Sequence, residues 1–75
     1  MPKKPWPTLG QRIREARQRM GWTQTELAVA VRSTQDHVSD LERDRHAPSM
    51  GMLRRLAAAL QIEPADLLQE RSDAM

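Results

Sequence analysis

The 75-residue chain contains no cysteine, so neither a disulfide nor a thiolate-bound metal can brace it, and a reducing compartment suits it. It has no tyrosine, and neither His37 nor His46 has a serine at a spacing that suggests an activated nucleophile. No apolar run approaches the roughly 18 residues that span a bilayer, and the opening MPKKPWP lacks the apolar centre of a signal peptide. The expectation is a soluble intracellular protein that is not an enzyme. Strand signals, internal repeats and low-complexity tracts are missing too, which leaves an all-α reading. At this length only one small domain fits, and its stability rests on good helix packing or on a partner. Asp36, Asp40 and Asp44 repeat at four-residue spacing, but Asp44 falls beyond the helix and no histidine or cysteine completes a ligand set. No metal and no cofactor are expected.

What the chain does have is an uneven distribution of charge. The formal net charge is only +2. Residues 1–35 hold seven basic and two acidic side chains, whereas residues 36–75 hold five basic and eight acidic ones. A basic front half suits a phosphate-rich partner, although a charge run also serves simply as a solvated face. Against that background the stretch RSTQDHVSD, residues 32–40, places two carboxylates one helical turn apart.

Cap signals and helical periodicity divide the chain into five helices. MPKKPWP, with three prolines in seven residues, reads as an extended basic arm over residues 1–8. Thr8 and Gln11 have the spacing of a capping box, followed by Leu9, Ile13, Ala16 and Met20 at helical intervals and by Gly21 as the stop. Thr23 and Glu26 form a second capping box, opening a helix Gln24 to Val31 with Leu27, Ala28 and Val31 inward and Trp22 stapled beside the cap. Arg32 and Ser33 break it. Thr34 caps a third helix, Gln35 to Arg43, with Val38, Leu41 and Glu42 on one side. After the loop at residues 44–48, Ser49 caps a fourth helix, Met50 to Leu60, striped by Leu53, Leu56, Ala57 and Leu60. Pro64 opens a short fifth helix over residues 64–69, with Leu67 and Leu68 inward. The domain is thus expected over residues 9–69, with a flexible tail at 70–75.

Two short capped helices joined by a break of about three residues outline a helix-turn-helix, a weak signal alone because many helical hairpins share it. The residues themselves say more. LGQRIREARQRMGWTQTELAVAV, VSDLER and APSMGMLRRLAAALQIEPADLL resemble the phage repressor and Cro-type helix-turn-helix family, across about residues 9–68. The resemblance implies a compact five-helix repressor-like domain whose second and third helices bind double-stranded DNA, the third lying in the major groove. It implies base-edge positions at Gln35, Asp36, Ser39 and Asp40, and phosphate-facing positions at Thr23, Gln24, Arg43, Arg45 and His46. It also pairs Glu42 with Arg17 as a structural ion pair between the first and third helices. A cytoplasmic protein of bacterial or phage origin, acting as a transcriptional regulator of the repressor kind, is the corresponding expectation.

Physical chemistry supports several of these roles independently. The free N–H groups of a helix N-terminus attract a phosphate, and the Gln24 side chain can add a donor. Gln35 carries the donor and acceptor that hold adenine N6 and N7 together. With Val38 and Leu41 inward, the outward face of the third helix is centred on Asp36, Asp40 and Arg43, with Ser39 at its edge. Asp36 lies in the first turn, where the helix dipole favours an anion. Asp40 can pair with Arg43 or accept from cytosine N4.

Departures from the family pattern sharpen the expectations. Arg32 and Asp44 stand where the family often has glycine, so both are expected in left-handed turns, and Arg32 can reach a phosphate or remain solvated. Lys3 and Lys4 can neutralise phosphates or belong to an unordered terminus on which Trp6 packs against the body. A domain this small touches one half-site, so a homodimer through Ile62, Leu67 and Leu68 is expected, unless those leucines only close the core. The alternative use of the fold, suggested by the two outward aspartates, is as a protein-interaction module or antitoxin-like partner.

Overall fold

The computed structural model describes residues 7–68; the part of the arm bearing Lys3, Lys4 and Trp6, residue 69 and the expected tail at 70–75 lie outside the described residues. Among the described residues five helices follow one another: α1 (Leu9–Arg19), α2 (Gln24–Ala30), α3 (Gln35–Glu42), α4 (Met50–Leu60) and α5 (Pro64–Leu68). No helix among the described residues is long and apolar enough to cross a membrane.

The helix starts obey local chemistry. Thr8, Thr23, Thr34 and Ser49 are extended, and each hydroxyl accepts the backbone N–H three residues on. At the first two, the Gln11 and Glu26 side chains reach back to the cap N–H at 2.9 and 2.8 Å, completing both capping boxes.

The helix ends are equally uniform. One left-handed residue follows each of α1 to α4: Gly21 (φ 76°), Arg32 (59°), Asp44 (61°) and Gln61 (60°). Each donates its N–H to the carbonyl three residues back, and its successor bonds the carbonyl five back: Trp22 to Arg17, Ser33 to Ala28, Arg45 to Asp40, Ile62 to Ala57. These are Schellman closures, which satisfy otherwise orphaned carbonyls. Arg32 and Asp44 are left-handed as expected. Gln61 was not foreseen, because its side chain carries no signal for the conformation. A non-glycine residue there costs about 1–2 kcal/mol, a strain the surrounding packing must offset.

Ile13, Leu27, Val31, Val38, Leu41, Leu53, Leu56 and Leu67 are essentially fully buried and form one core. α3 packs on both α1 and α2, while α5 closes the bundle against α1 and α4. The sequence expectation of both Leu67 and Leu68 facing inward fails for Leu68, which is 48% exposed against 1% for Leu67. Successive helical positions point about 100° apart, and α5 turns Leu67 to the core and its neighbour Leu68 away from it. On α1, Leu9 and Met20 are only partly buried, and Gly10 and Arg17 join Ile13 and Ala16 on the buried face.

Gly10 marks where α1 crosses the end of α3. A Cβ at this position would lie 2.6 Å from the carbonyl oxygens of both Leu41 and Glu42, which are backbone atoms that cannot swing aside. The Gly10 N–H donates to Asp44 Oδ1 at 2.9 Å, and the Thr8 hydroxyl donates to Asp44 Oδ2 at 2.6 Å. The residue that ends α3 therefore also caps the start of α1. Gly10→Ala is expected to destabilise the domain by about 2–3 kcal/mol and lower the melting temperature by about 10 °C or more, measured by circular dichroism. A melt indistinguishable from the parent would show that this close approach is not needed.

Candidate nucleic-acid interface

The buried positions of α3 decide what its other face presents. Val38, Leu41 and Glu42 point inward, leaving Gln35 and Asp36 exposed and Ser39 and Asp40 half-buried. These four are the residues assigned to base edges from the sequence, and they share one surface.

That surface is tied to the core by a chain of hydrogen bonds. Arg17 Nε donates to Glu42 Oε2 at 2.7 Å and Arg17 Nη2 to Glu42 Oε1 at 3.1 Å, a bidentate pair with side chains 11% and 3% exposed. The remaining Arg17 nitrogen donates to the Trp22 carbonyl at 2.7 Å, joining the α1–α2 turn to the same cation. Gln24 Nε2 then donates to Glu42 Oε1 at 3.1 Å, and Gln35 Nε2 donates to Gln24 Oε1 at 2.7 Å. The expected Arg17–Glu42 pair is present. Its extension through Gln24 to Gln35 was not anticipated, because spacing along one helix cannot reveal bonds between three.

The direction of these bonds follows from the carboxylate. An ionised carboxylate only accepts, so Gln24 must turn its amide nitrogen towards Glu42 and its carbonyl outward. Gln35 must in turn give one N–H to that carbonyl. Its own carbonyl and second N–H have no partner among the described residues. One buried charge thereby sets the orientation of two surface amides, and bonds in such a chain polarise one another.

The remaining candidates divide into two places. Arg43, Arg45 and His46 are exposed together at the end of α3 and in the loop that follows. Of the partners left open for Asp40 by the sequence, Arg43 is not the one beside it: Asp40 Oδ2 lies 3.7 Å from His46 Nε2. Arg43 has left helical geometry at the C-cap, and the left-handed Asp44 turns the chain back so that His46 stacks beside His37, ring centres 6.4 Å apart. At α2, the Thr23 hydroxyl and backbone N–H are both engaged with Glu26, and Gln24 is occupied as described. Arg32 stands apart from the Arg43–His46 group. It lines a groove with Trp22, Ala30, Arg55, Ala58 and Ala59 between α2 and α4, and Arg55 was not singled out from the sequence.

Comparison with known proteins finds similar sequences and similar folds. The profile of the helix-turn-helix family matches residues 13–67. Over 65 residues the chain is 35% identical to the immunity repressor protein of Bacillus phage phi105, covering 87% of this chain and 45% of that protein. It spans about half the length of the first curated relatives it matches. The fold is similar to that of the P22 c2 repressor solved in complex with a synthetic operator, with TM-score 0.82, 31% identity and coverage of 85% of this chain and 97% of that one. It is also similar to SinR, the master regulator for biofilm formation, solved in complex with DNA, with TM-score 0.78, 30% identity and coverage of 83% and 100%.

Removing one partner of the buried pair strands the other. Glu42→Ala is expected to cost about 3–5 kcal/mol in urea unfolding, while Arg17→Met combined with Glu42→Leu should recover much of that loss. If Glu42→Ala unfolded at the parent's midpoint, the pair would not be holding α1 to α3.

Proposed function

Because this chain belongs to the helix-turn-helix family, of the Cro and C1 repressor type, we propose that it is a sequence-specific, double-stranded-DNA-binding transcriptional regulator of the repressor kind, with α3 entering the major groove. The observation that carries the proposal is the hydrogen-bond chain from Arg17 through Glu42 and Gln24 to Gln35. It leaves one Gln35 N–H to donate to adenine N7 and the Gln35 carbonyl to accept from adenine N6. A side chain whose orientation is already fixed loses little freedom on binding. Asp36, Ser39 and Asp40 complete the base-facing set, with Asp40 suited to accept from cytosine N4.

Thr23 and Gln24 at the start of α2, and Arg43, Arg45 and His46 after α3, are proposed to face backbone phosphates on either side of the groove. Phosphate contacts fix register and supply salt-sensitive affinity, while base contacts supply discrimination. Arg32, expected from the sequence to reach a phosphate or remain solvated, lies with Arg55 on another surface and is left out of this phosphate-facing set. The P22 c2 repressor and SinR, each solved on DNA, support the assignment of DNA as partner.

The functional unit is proposed to be a homodimer on half-sites about 10 base pairs apart. Ile62, half-buried, and Leu68, exposed, offer the apolar surface for it, whereas Leu67 is committed to the core. A second reading, a fold used mainly to bind protein or an antitoxin-like partner, draws on the Asp36 and Asp40 carboxylates of the outward α3 face.

Selection of bound duplexes from a random pool at two salt concentrations should yield a defined half-site. Gln35→Ala is expected to lose about 1–3 kcal/mol of discrimination at one adenine while leaving non-specific binding intact. Arg43→Ala or Arg45→Ala should weaken every duplex alike and reduce the salt slope by about one. A pool that returns no preferred sequence would favour the protein-binding reading. Sedimentation on operator DNA should show two chains per site, and a monomer both free and bound would rule out the dimer.

A further inference from the structure

The groove between α2 and α4 is lined by Trp22, Ala30, Arg32, Arg55, Ala58 and Ala59, and its volume is about 520 Å³. That is within the range of clefts that receive ligands or partner side chains. Its apolar part is the half-buried indole of Trp22, left uncovered because α4 presents only alanine side chains at positions 58 and 59. Ala30 opens the α2 wall in the same way, and its neighbour Val29 is the most exposed large apolar side chain described, at 74%.

Two guanidinium groups complete the groove. Neither Arg32 nor Arg55 has a carboxylate within 4.0 Å among the described residues. The base of the Arg32 side chain is held in place, since the residue occupies the left-handed position of a turn closed by two backbone bonds, Arg32 to Val29 at 3.1 Å and Ser33 to Ala28 at 2.8 Å. A phosphate backbone would gain from the arginines but nothing from an indole and three alanines. None of Gln35, Asp36, Ser39 or Asp40 lines this surface.

We infer that this groove docks an acidic amphipathic helix of a partner protein, with aliphatic side chains against the Trp22 indole and flanking carboxylates paired with Arg32 and Arg55. A helix laid into an apolar groove needs anchors on one face, which the indole and alanine walls receive. Arginine holds carboxylates through two parallel N–H bonds, and aromatic and arginine side chains together are the commonest anchors of protein interfaces. The groove leaves the α3 face free, so docking and DNA binding are compatible, and the inference stands whether or not DNA is the ligand of α3.

The test uses the full chain carrying Trp6→Phe, so that tryptophan emission reports Trp22 alone. The probes are three synthetic amphipathic peptides with the same leucine face, flanked by glutamate, glutamine or lysine. The glutamate peptide is expected to bind about tenfold or more tighter than the lysine peptide and to shift Trp22 emission to the blue. Amide shifts should cluster at Ala30, Ala58 and Ala59, and duplex DNA should not displace the peptide. Arg32→Glu combined with Arg55→Glu, both exposed positions, should reverse the preference towards the lysine peptide. Equal affinities, a preference that survives the charge reversal, or shifts confined to α3 with displacement by DNA would overturn the inference.

Discussion

The Arg17–Glu42 ion pair is the interaction on which the rest of the structure depends. It is nearly dry, bidentate, and made between α1 and α3, two helices that share no local sequence signal. Desolvating both charges is costly, and in many proteins a well-packed apolar pair would be as stable. Here the pair does something an apolar one cannot. Arg17 also binds the Trp22 carbonyl and Glu42 also binds Gln24, so both helices of the helix-turn-helix, and the turn that precedes them, are referred to one buried point.

From that point the order extends outward by donor and acceptor logic. The carboxylate dictates the orientation of Gln24, and Gln24 dictates that of Gln35. A surface glutamine would otherwise sample several rotamers. In this arrangement the orientation of a surface side chain at the start of α3 is preset by a charge in the core.

The backbone is organised with similar economy. Four successive helices close with the same pair of hydrogen bonds around a left-handed residue, yet only one of the four residues is glycine. Asp44 compensates for its strained conformation by capping α1 with its carboxylate, through Gly10 and Thr8. Arg32 has no such contact among the described residues; its side chain instead stands with Arg55 over the Trp22 groove, which separates the molecule into an α3 face and an α2–α4 face of different chemistry. Asp40 has His46 as its neighbour rather than Arg43.

Helix positions, their caps and most of the core were legible in the sequence because they arise from neighbours three or four residues apart. Thr8 with Gln11, Thr23 with Glu26, and the Val38–Leu41–Glu42 face all follow from helical geometry. The resemblance to a family supplied Arg17 with Glu42 and the left-handed Arg32 and Asp44. Tertiary structure alone decided the link from Gln24 to Glu42 and Gln35, the capping of α1 by Asp44, and the Asp40–His46 contact. It also exposed Leu68 and set Arg32 beside Arg55. The hydrogen bonds of the core network join residues 11, 18 and 25 apart in the chain, and those of Asp44 span 34 and 36. Periodicity fixes which way a side chain points from its own helix, but not which side chain of another helix stands opposite; that depends on how the helices cross, and here the crossing is set by a glycine contact and a buried charge.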